Sequence, residues 1–336
     1  KFDKIKNNKL KILFNLIKKY FPKCFIENFH LFQNEIQQSP LPYKPKVIFT
    51  SNLHYFDDYF CHYAAKKIED GAKLFIGQHG GMFGSAKLLN IENRDIRIAD
   101  KYLNWGWEKS SKGIPLGLLK NDITLSLKLK RFFNKKNKIL IISCKYPSYF
   151  SRCVTKPISR KDWNIFFNHQ QTFINNLNIP TKSNIIFRDK SIEKSPDQSY
   201  TLFKNNNKNI TFSDASKKRL IIELKDARIA VVNYNATVLI QLLSANIPTV
   251  AFWDNNQWEL RDQAIPYYNE LINCEILFFD PELAAQKINK VWDPDHLNEW
   301  WHNEKTIKAI KKFLDMYGKK ISSLEKIKKI RNFLKK

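Results

Sequence analysis

Residues Ala227 to Phe252 read ARIAVVNYNATVLIQLLSANIPTVAF. Arg228 to Asn233 is a short run with no polar face, as expected of a strand buried on both sides. Asn233-Tyr-Asn-Ala-Thr237 is a polar turn. Ala236 to Ser244 then predicts a helix, and Pro248 to Trp253 a second strand. Strand, turn, helix and strand in so short a span form a βαβ unit, which obliges the two strands to run parallel.

Similar signals flank this segment. On its N-terminal side, Lys138 to Ser143 predicts a strand, Asp162 to Leu177 a helix, and Asn184 to Phe187 and Asn209 to Phe212 two more strands. Lys217 to Lys225 predicts a helix, and beyond the segment Glu275 to Phe279 a last short strand. A second series lies nearer the N-terminus. It runs from strand Val47–Phe49 through helix Tyr55–Asp70, stopped by Gly71, to strands Lys73–Ile76 and Asp100–Trp105. Gly113-Ile-Pro-Leu-Gly117 reads as a domain boundary, followed by a Lys-rich helical stretch before Lys138. No repeat of fixed period is found. The fold class expected is α/β, with two Rossmann-like parallel-sheet domains, 46–115 and 116–303. They are flanked by a basic helical segment with a Pro40, Pro42 and Pro45 linker at 1–45, and by basic helices at 304–336. In Lys1 to Phe21, Ile5, Leu13, Leu16, Ile17, Tyr20 and Phe21 fall at roughly helical spacing.

The 336 residues suffice for two domains with a sizeable core. The formal net charge is +25. It points either to an anionic partner, such as nucleic acid, a membrane surface or a phosphorylated substrate, or to solvated basic faces in a Lys- and Asn-rich chain. Five cysteines at 24, 61, 144, 153 and 274 form no CxxC pair, so neither a zinc site nor a disulfide framework is indicated. No apolar run approaches a bilayer span, and no signal-peptide core is present. A cytoplasmic setting is expected.

Several constellations carry chemistry. The turn Asn233–Thr237 lies at a strand's carboxyl end and a helix's N-terminus, where free amides and the helix dipole favour anions. Tyr234, Asn235 and Thr237 are candidate donor contacts, with Asn235 or Thr237 alternatively a plain helix cap. Gly77-Gln-His-Gly-Gly-Met-Phe-Gly84 also follows a strand. Such glycine density suits a sharp turn or close approach to a ligand. His79 there is a candidate general base, its ring otherwise held in the turn by backbone bonds. Gln78, Gly80 and Gly81 would line the acceptor side. Trp105 and Trp107 either stack on a sugar or base or pack in the core. Arg188 either holds a diphosphate or forms a surface ion pair. Glu259 and Arg261, in Trp258-Glu-Leu-Arg-Asp262, suit a hydroxyl and an anion respectively, or are facing charges on a helix. Asp293-Pro-Asp295 matches a DxD metal motif but precedes a helical pattern, so Asp293 or Asp295 is read as an N-cap. No metal site and no cofactor are expected.

Taken together, Gln78-His-Gly-Gly81, Asp100 with Trp105-Gly-Trp107, the Asn233–Thr237 turn with Ile247-Pro-Thr249, and Trp300-Trp301 resemble a family of bacterial surface-polysaccharide transferases. The resemblance spans about Val47 to Trp301. More distantly, the strand–turn–helix–Pro segment is similar to the donor half of teichoic-acid glycerophosphotransferases and capsule Kdo transferases. It implies a GT-B-like arrangement, two sheets facing a cleft, with residues 46–115 on the acceptor side and 116–303 on the nucleotide-donor side. Two departures stand out. Gln241 occupies a position where the family carries an acid, and the first domain is short for GT-B, so further N-terminal residues are expected.

Two function classes follow. One is a metal-independent glycosyltransferase, moving a sugar (a CMP-activated acidic sugar such as Kdo first) from a nucleotide donor to a glycan or glycolipid acceptor. The other is a non-catalytic nucleic-acid or anionic-polymer binding protein. The C-terminal stretch Lys305 to Lys336, with Ile307, Ile310, Phe313, Leu314, Ile321, Leu324, Ile327 and Leu334 at helical spacing, reads as one or two basic amphipathic helices. These either attach to the inner face of an anionic membrane or pack back on the domains.

Overall fold

The computed structural model describes residues 7–107, 111–119, 136–144, 162–189 and 198–334. The Lys-rich stretch before Lys138, Ile5 and Cys153 lie outside these residues. The chain forms two compact units, Lys1–Ile76 and Gly77–Lys336.

In the first unit, α1 (Asn8–Tyr20) and α2 (Phe29–Gln37) precede β1 (Val47–Thr50), α3 (Asp58–Glu69) and β2 (Lys73–Gly77). β1 and β2 pair in parallel, Val47 opposite Lys73. α3 starts three residues later than expected, because Asp57 caps it by accepting from the Phe60 amide at 2.9 Å. Gly71 ends the turn after it with φ +99°.

In the second unit, α4 (Asn90–Ile98) leads to β3 (Lys101–Asn104) and β4 (Gly113–Pro115), a parallel pair. Gly113–Pro115, read as a bare boundary, is thus a strand, and the change from this pair to the larger sheet falls after it. The larger sheet is built from β5 (Lys138–Ile142), β6 (Ile185–Asp189), β7 (Thr211–Asp214), β8 (Ala227–Val232), β9 (Thr249–Phe252) and β10 (Leu277–Phe278). Its order is β10-β9-β8-β5-β6-β7, and every pair is parallel. The fold is therefore α/β with parallel sheets, as the periodicity predicts. β5 and β8 lie at its centre and supply Ile139, Leu140, Ile141, Ile229, Ala230, Val231 and Val232 to the core, all buried. Helices cover it: α5 (Trp163–Asn175), α6 (Gln198–Asn206), α7 (Leu220–Leu224), α8 (Thr237–Ser244), α9 (Ile265–Asn273), α10 (Pro281–Lys290) and α11 (Pro294–His302).

Asp293 accepts from the Asp295 amide at 2.9 Å and caps α11. The DxD-like triplet is a helix start, as expected. Among the described residues no group of three His, Cys, Asp or Glu is placed to hold a metal ion, and no helix is long and apolar enough to cross a membrane.

The C-terminal stretch forms two helices, α12 (Glu304–Tyr317) and α13 (Ser323–Leu334). The apolar stripe of α12 faces inward. Ala309, Phe313, Leu314 and Tyr317 are buried, and Tyr268 of α9 meets the Phe313 ring edge-on at 5.1 Å. The chain after it is tied to the ends of β3 and β4, with the Lys319 amide donating to the Trp105 carbonyl at 3.0 Å. For α12, packing back is the arrangement found. Emptying the Phe313 site leaves a cavity that surrounding helices cannot close. Phe313→Ala is therefore expected to cost about 3–5 kcal/mol of stability, read as a lower urea midpoint with unchanged slope.

Candidate functional site

The Gly-rich loop and the polar turn meet. The Gly81 amide donates to Thr237 Oγ1 at 3.0 Å. A Cβ at Gly81 would lie 2.5 Å from the Thr237 amide nitrogen and 2.7 Å from the Ala236 carbonyl carbon. The loop backbone thus rests directly on the first turn of α8, and only glycine permits that approach. Gly84 serves a second close contact: it has φ +79°, and a Cβ there would strike the Trp107 ring at 2.3 Å. Gly80, by contrast, has room for a side chain.

Gln78 organises the loop. Buried, it donates from Nε2 to the Gly80 carbonyl at 2.8 Å. Its Oε1 accepts from the Trp105 amide at 2.9 Å and from Trp107 Nε1 at 2.8 Å. One side chain therefore fixes the loop after β2 against the segment after β3. Trp105 lies in the core cluster, the packing alternative, whereas Trp107 is half-buried. His79 is exposed on this loop.

Ala236 is the residue before α8, and no side chain caps the helix. Neither Asn235 nor Thr237 is the cap that the sequence allowed: Thr237 is the first helical residue, and Asn235 is used elsewhere. Asn235 is buried; its Oδ1 accepts from Tyr268 OH at 3.0 Å, and its Nδ2 reaches Ser85 Oγ at 3.5 Å. Burial pushes the Tyr268 phenol up to about 12, so it remains a donor. Asn233 is fully buried and donates to Ser143 Oγ at 3.1 Å and Gln170 Oε1 at 2.8 Å, while among the described residues its Oδ1 has no hydrogen-bond partner. Burial likewise raises the Tyr234 phenol, and the neighbouring Cys144 raises it further.

The charged candidates have partners. Arg188 is buried, not on the surface, and its Nη1 meets Glu223 Oε2, itself buried on α7. Ser213 also donates to Glu223. Glu223 thereby joins two strands and its own helix through one ion pair and one hydrogen bond. Arg261 donates through Nε and Nη2 to the Ala86 carbonyl at 3.1 and 3.0 Å and through Nη2 to Glu92 Oε1 at 2.7 Å. Glu92 also accepts from the Gly84 amide. Arg261 further lies 5.8 Å from the Trp107 ring centroid. Glu259 is at the surface and pairs with Lys87 at 2.6 Å. Neither Glu259 nor Arg261 lies on a helix; both flank Leu260, which bridges to Ala86 in antiparallel register.

The elements bring Gln78, Gly80, Gly81, Trp107, Arg261, Asn235 and Thr237 into one contact network, with His79 on the loop and Tyr234 on the turn. Arg188 stands apart from it on β6. Sequence reasoning missed Glu92, Ser85, Tyr268, Gln170 and Glu223. Each is a single polar residue whose partner lies elsewhere in the sequence, and only the folded chain brings the two together.

Residues 1–331 match the family described as LIC12162 family transferase. The chain belongs to this family. A search of curated proteins finds no match. Among solved structures, the chain is similar to MnaA of S. aureus in a co-structure with UDP. Identity is 9%, 92% of this chain and 79% of that chain are covered, and the TM-score is 0.47. It is similar to the wall teichoic acid polymerase TagF soaked with CDPG, at 11% identity, 79% and 67% coverage and a TM-score of 0.45. It is also similar to MurG of Acinetobacter baumannii, at 12% identity, 76% and 69% coverage and a TM-score of 0.40.

The Arg261–Glu92 pair lends itself to a direct check. Removing Arg261 takes the cationic partner from the buried Glu92 carboxylate, which keeps the Gly84 amide, and takes two donors from the Ala86 carbonyl. Arg261→Met is expected to cost roughly 3 kcal/mol in urea unfolding, and Arg261→Met with Glu92→Met distinctly less.

Proposed function

We propose that this family member transfers a sugar, or a related phosphate-linked unit, from a nucleotide donor to a growing bacterial surface polysaccharide. The observation that carries the reading is the uncapped N-terminus of α8, at the carboxyl end of β8, joined to a Gly-rich turn that presents His79. Open parallel sheets bind ligands at strand carboxyl ends, and a helix N-terminus without a side-chain cap leaves amides for phosphate oxygens. Of the two function classes open to the sequence, transferase membership favours the enzyme.

In this reading the donor phosphates lie over Asn233–Thr237, with Tyr234, Asn235 and Thr237 around them. The acceptor enters across the loop, beside Gln78, Gly80, Gly81 and Trp107. The acceptor hydroxyl oxygen attacks the sugar carbon, and the bond to the donor phosphate breaks with its electron pair leaving on the nucleotide. His79 takes the hydroxyl proton. Amides and the dipole of α8 stabilise the departing phosphate, the part a divalent ion plays elsewhere. Turnover is therefore expected to survive EDTA. Arg188 and Arg261, each paired with a carboxylate, would hold the donor surface in shape more than neutralise it directly. Glu259, exposed, can exchange Lys87 for a donor hydroxyl. A CMP-activated acidic sugar such as Kdo comes first among donors, on the resemblance and on the net charge of +25.

A thermal-shift panel of nucleotides and nucleotide sugars tests the donor, because a ligand that binds only the folded state raises the melting temperature. Thr237→Val removes the acceptor for Gly81 while keeping the shape, and should weaken that shift. An undiminished shift would remove the turn from the donor site. With the donor known, His79→Ala should lower turnover by about 10²-fold or more at unchanged stability. Near-normal turnover would return His79 to a structural role in the loop.

A further inference from the structure

The membrane contact expected of the C-terminal helices has a better candidate in the first unit. α12 spends its apolar stripe on the core. In α13, Leu324 and Ile327 are exposed, but Lys326 donates to the Leu118 carbonyl at 2.9 Å, and Lys329 to the Pro115 carbonyl at 3.1 Å and to Glu325 at 3.4 Å. Those cations are already engaged.

α1 is different. None of its side chains is buried. Leu10, Leu13, Ile17 and Phe21 follow the spacing that puts them on one helix face, and they are 45, 50, 40 and 48% exposed. Tyr20 and, past the helix, Phe25 and Ile26 are exposed as well. From Asn7 to Ile26 the chain has Lys9, Lys11, Lys18, Lys19 and Lys23 and no Asp or Glu. At 100° per residue, Lys11 and Lys18 flank the stripe on one side and Lys9 on the other. The Phe21 and Phe25 rings meet edge-on at 6.1 Å and Phe25 and Phe32 at 6.2 Å, so the helix is joined to α2 through an aromatic chain.

An exposed apolar stripe bordered by cations and free of acids matches the boundary between acyl chains and anionic headgroups. The stripe enters the apolar layer while the long lysine side chains reach back to the phosphates. A protein partner large enough to cover the stripe would meet the lysines only with a matching acidic rim, whereas an anionic bilayer supplies that charge everywhere. We propose that α1 docks this protein on an anionic lipid surface, lying in the plane of the interface without crossing it. The contact is reversible and weakens with salt, because screening acts on the exposed lysines.

The test uses the full chain and needs no donor or acceptor, so it stands independently of the transferase reading. Vesicles of phosphatidylcholine with phosphatidylglycerol, and vesicles of phosphatidylcholine alone, are sedimented with the protein. The wild type should pellet with the first and not the second, and leave the pellet as salt rises. Leu13→Glu with Ile17→Glu changes only exposed positions. The double variant should keep the wild-type melting temperature and bind at least about tenfold more weakly. Leu324→Glu with Ile327→Glu in α13 should leave binding unchanged. The proposal is overturned if the wild type stays in the supernatant at low salt, or if the α1 variant binds like the wild type. Loss of binding in the α13 variant instead would overturn it too. So would sedimentation velocity showing a dimer that the α1 variant splits, for then a second copy covers the stripe.

Discussion

The second unit turns on the contact between Gly81 and Thr237. A loop backbone lies against the first turn of a helix with no space for one extra carbon, held by a single amide-to-hydroxyl bond of 3.0 Å. Such a contact places two chain segments, far apart in sequence, at the carboxyl end of one parallel strand. Gln78 and Trp107 on one side, and Asn235 with Tyr268 on the other, act as the struts of this junction. Each has its polar atoms bonded inside the protein, and satisfied buried networks of this kind hold one geometry at the expense of others.

Charge is arranged in the same spirit. The net charge of +25 suggests cations free to receive an anion. Two arginines of this unit are instead neutralised, Arg261 beside the junction by Glu92 and Arg188 on β6 by Glu223. A buried guanidinium such as that of Arg188 would carry a heavy desolvation cost without a partner, and the buried Glu92 carboxylate would carry one without Arg261. The start of α8 carries no side-chain cap, so its positive partial charge comes from backbone amides and the helix dipole. Backbone groups cost nothing in side-chain entropy and keep their aim.

Helices α12 and α1 show one pattern in two settings. α12 and α1 are both apolar on one side and rich in lysine on the other. α12 packs its stripe against α9 and α8, and its exit segment is bonded to Trp105 and Leu118. α1 buries no side chain. Amphipathic periodicity states that a helix has an apolar face; the residues available to cover that face decide whether it becomes core or interface.

By itself the sequence determined the α/β class, the parallel pairing and most strands of the larger sheet. Short unbroken apolar runs, such as Ile229–Val232, suit strands buried on both sides. It also determined that Asp293 or Asp295 starts a helix, because capping is a local interaction within three residues, and the cap is Asp293. It showed that glycines cluster after β2, though not which of them were needed. The tertiary structure alone decided that Gly81 answers to Thr237 and Gly84 to Trp107, while Gly80 is under no such constraint. It decided that Arg188 is buried with Glu223, that Trp105 belongs to the core, and that Asn235 serves Tyr268 and Ser85 and leaves the helix uncapped. Strands and caps are set by neighbours along the chain, which a sequence displays. Ion pairs, close backbone approaches and shared side-chain acceptors join residues dozens of positions apart, and only folding fixes those distances.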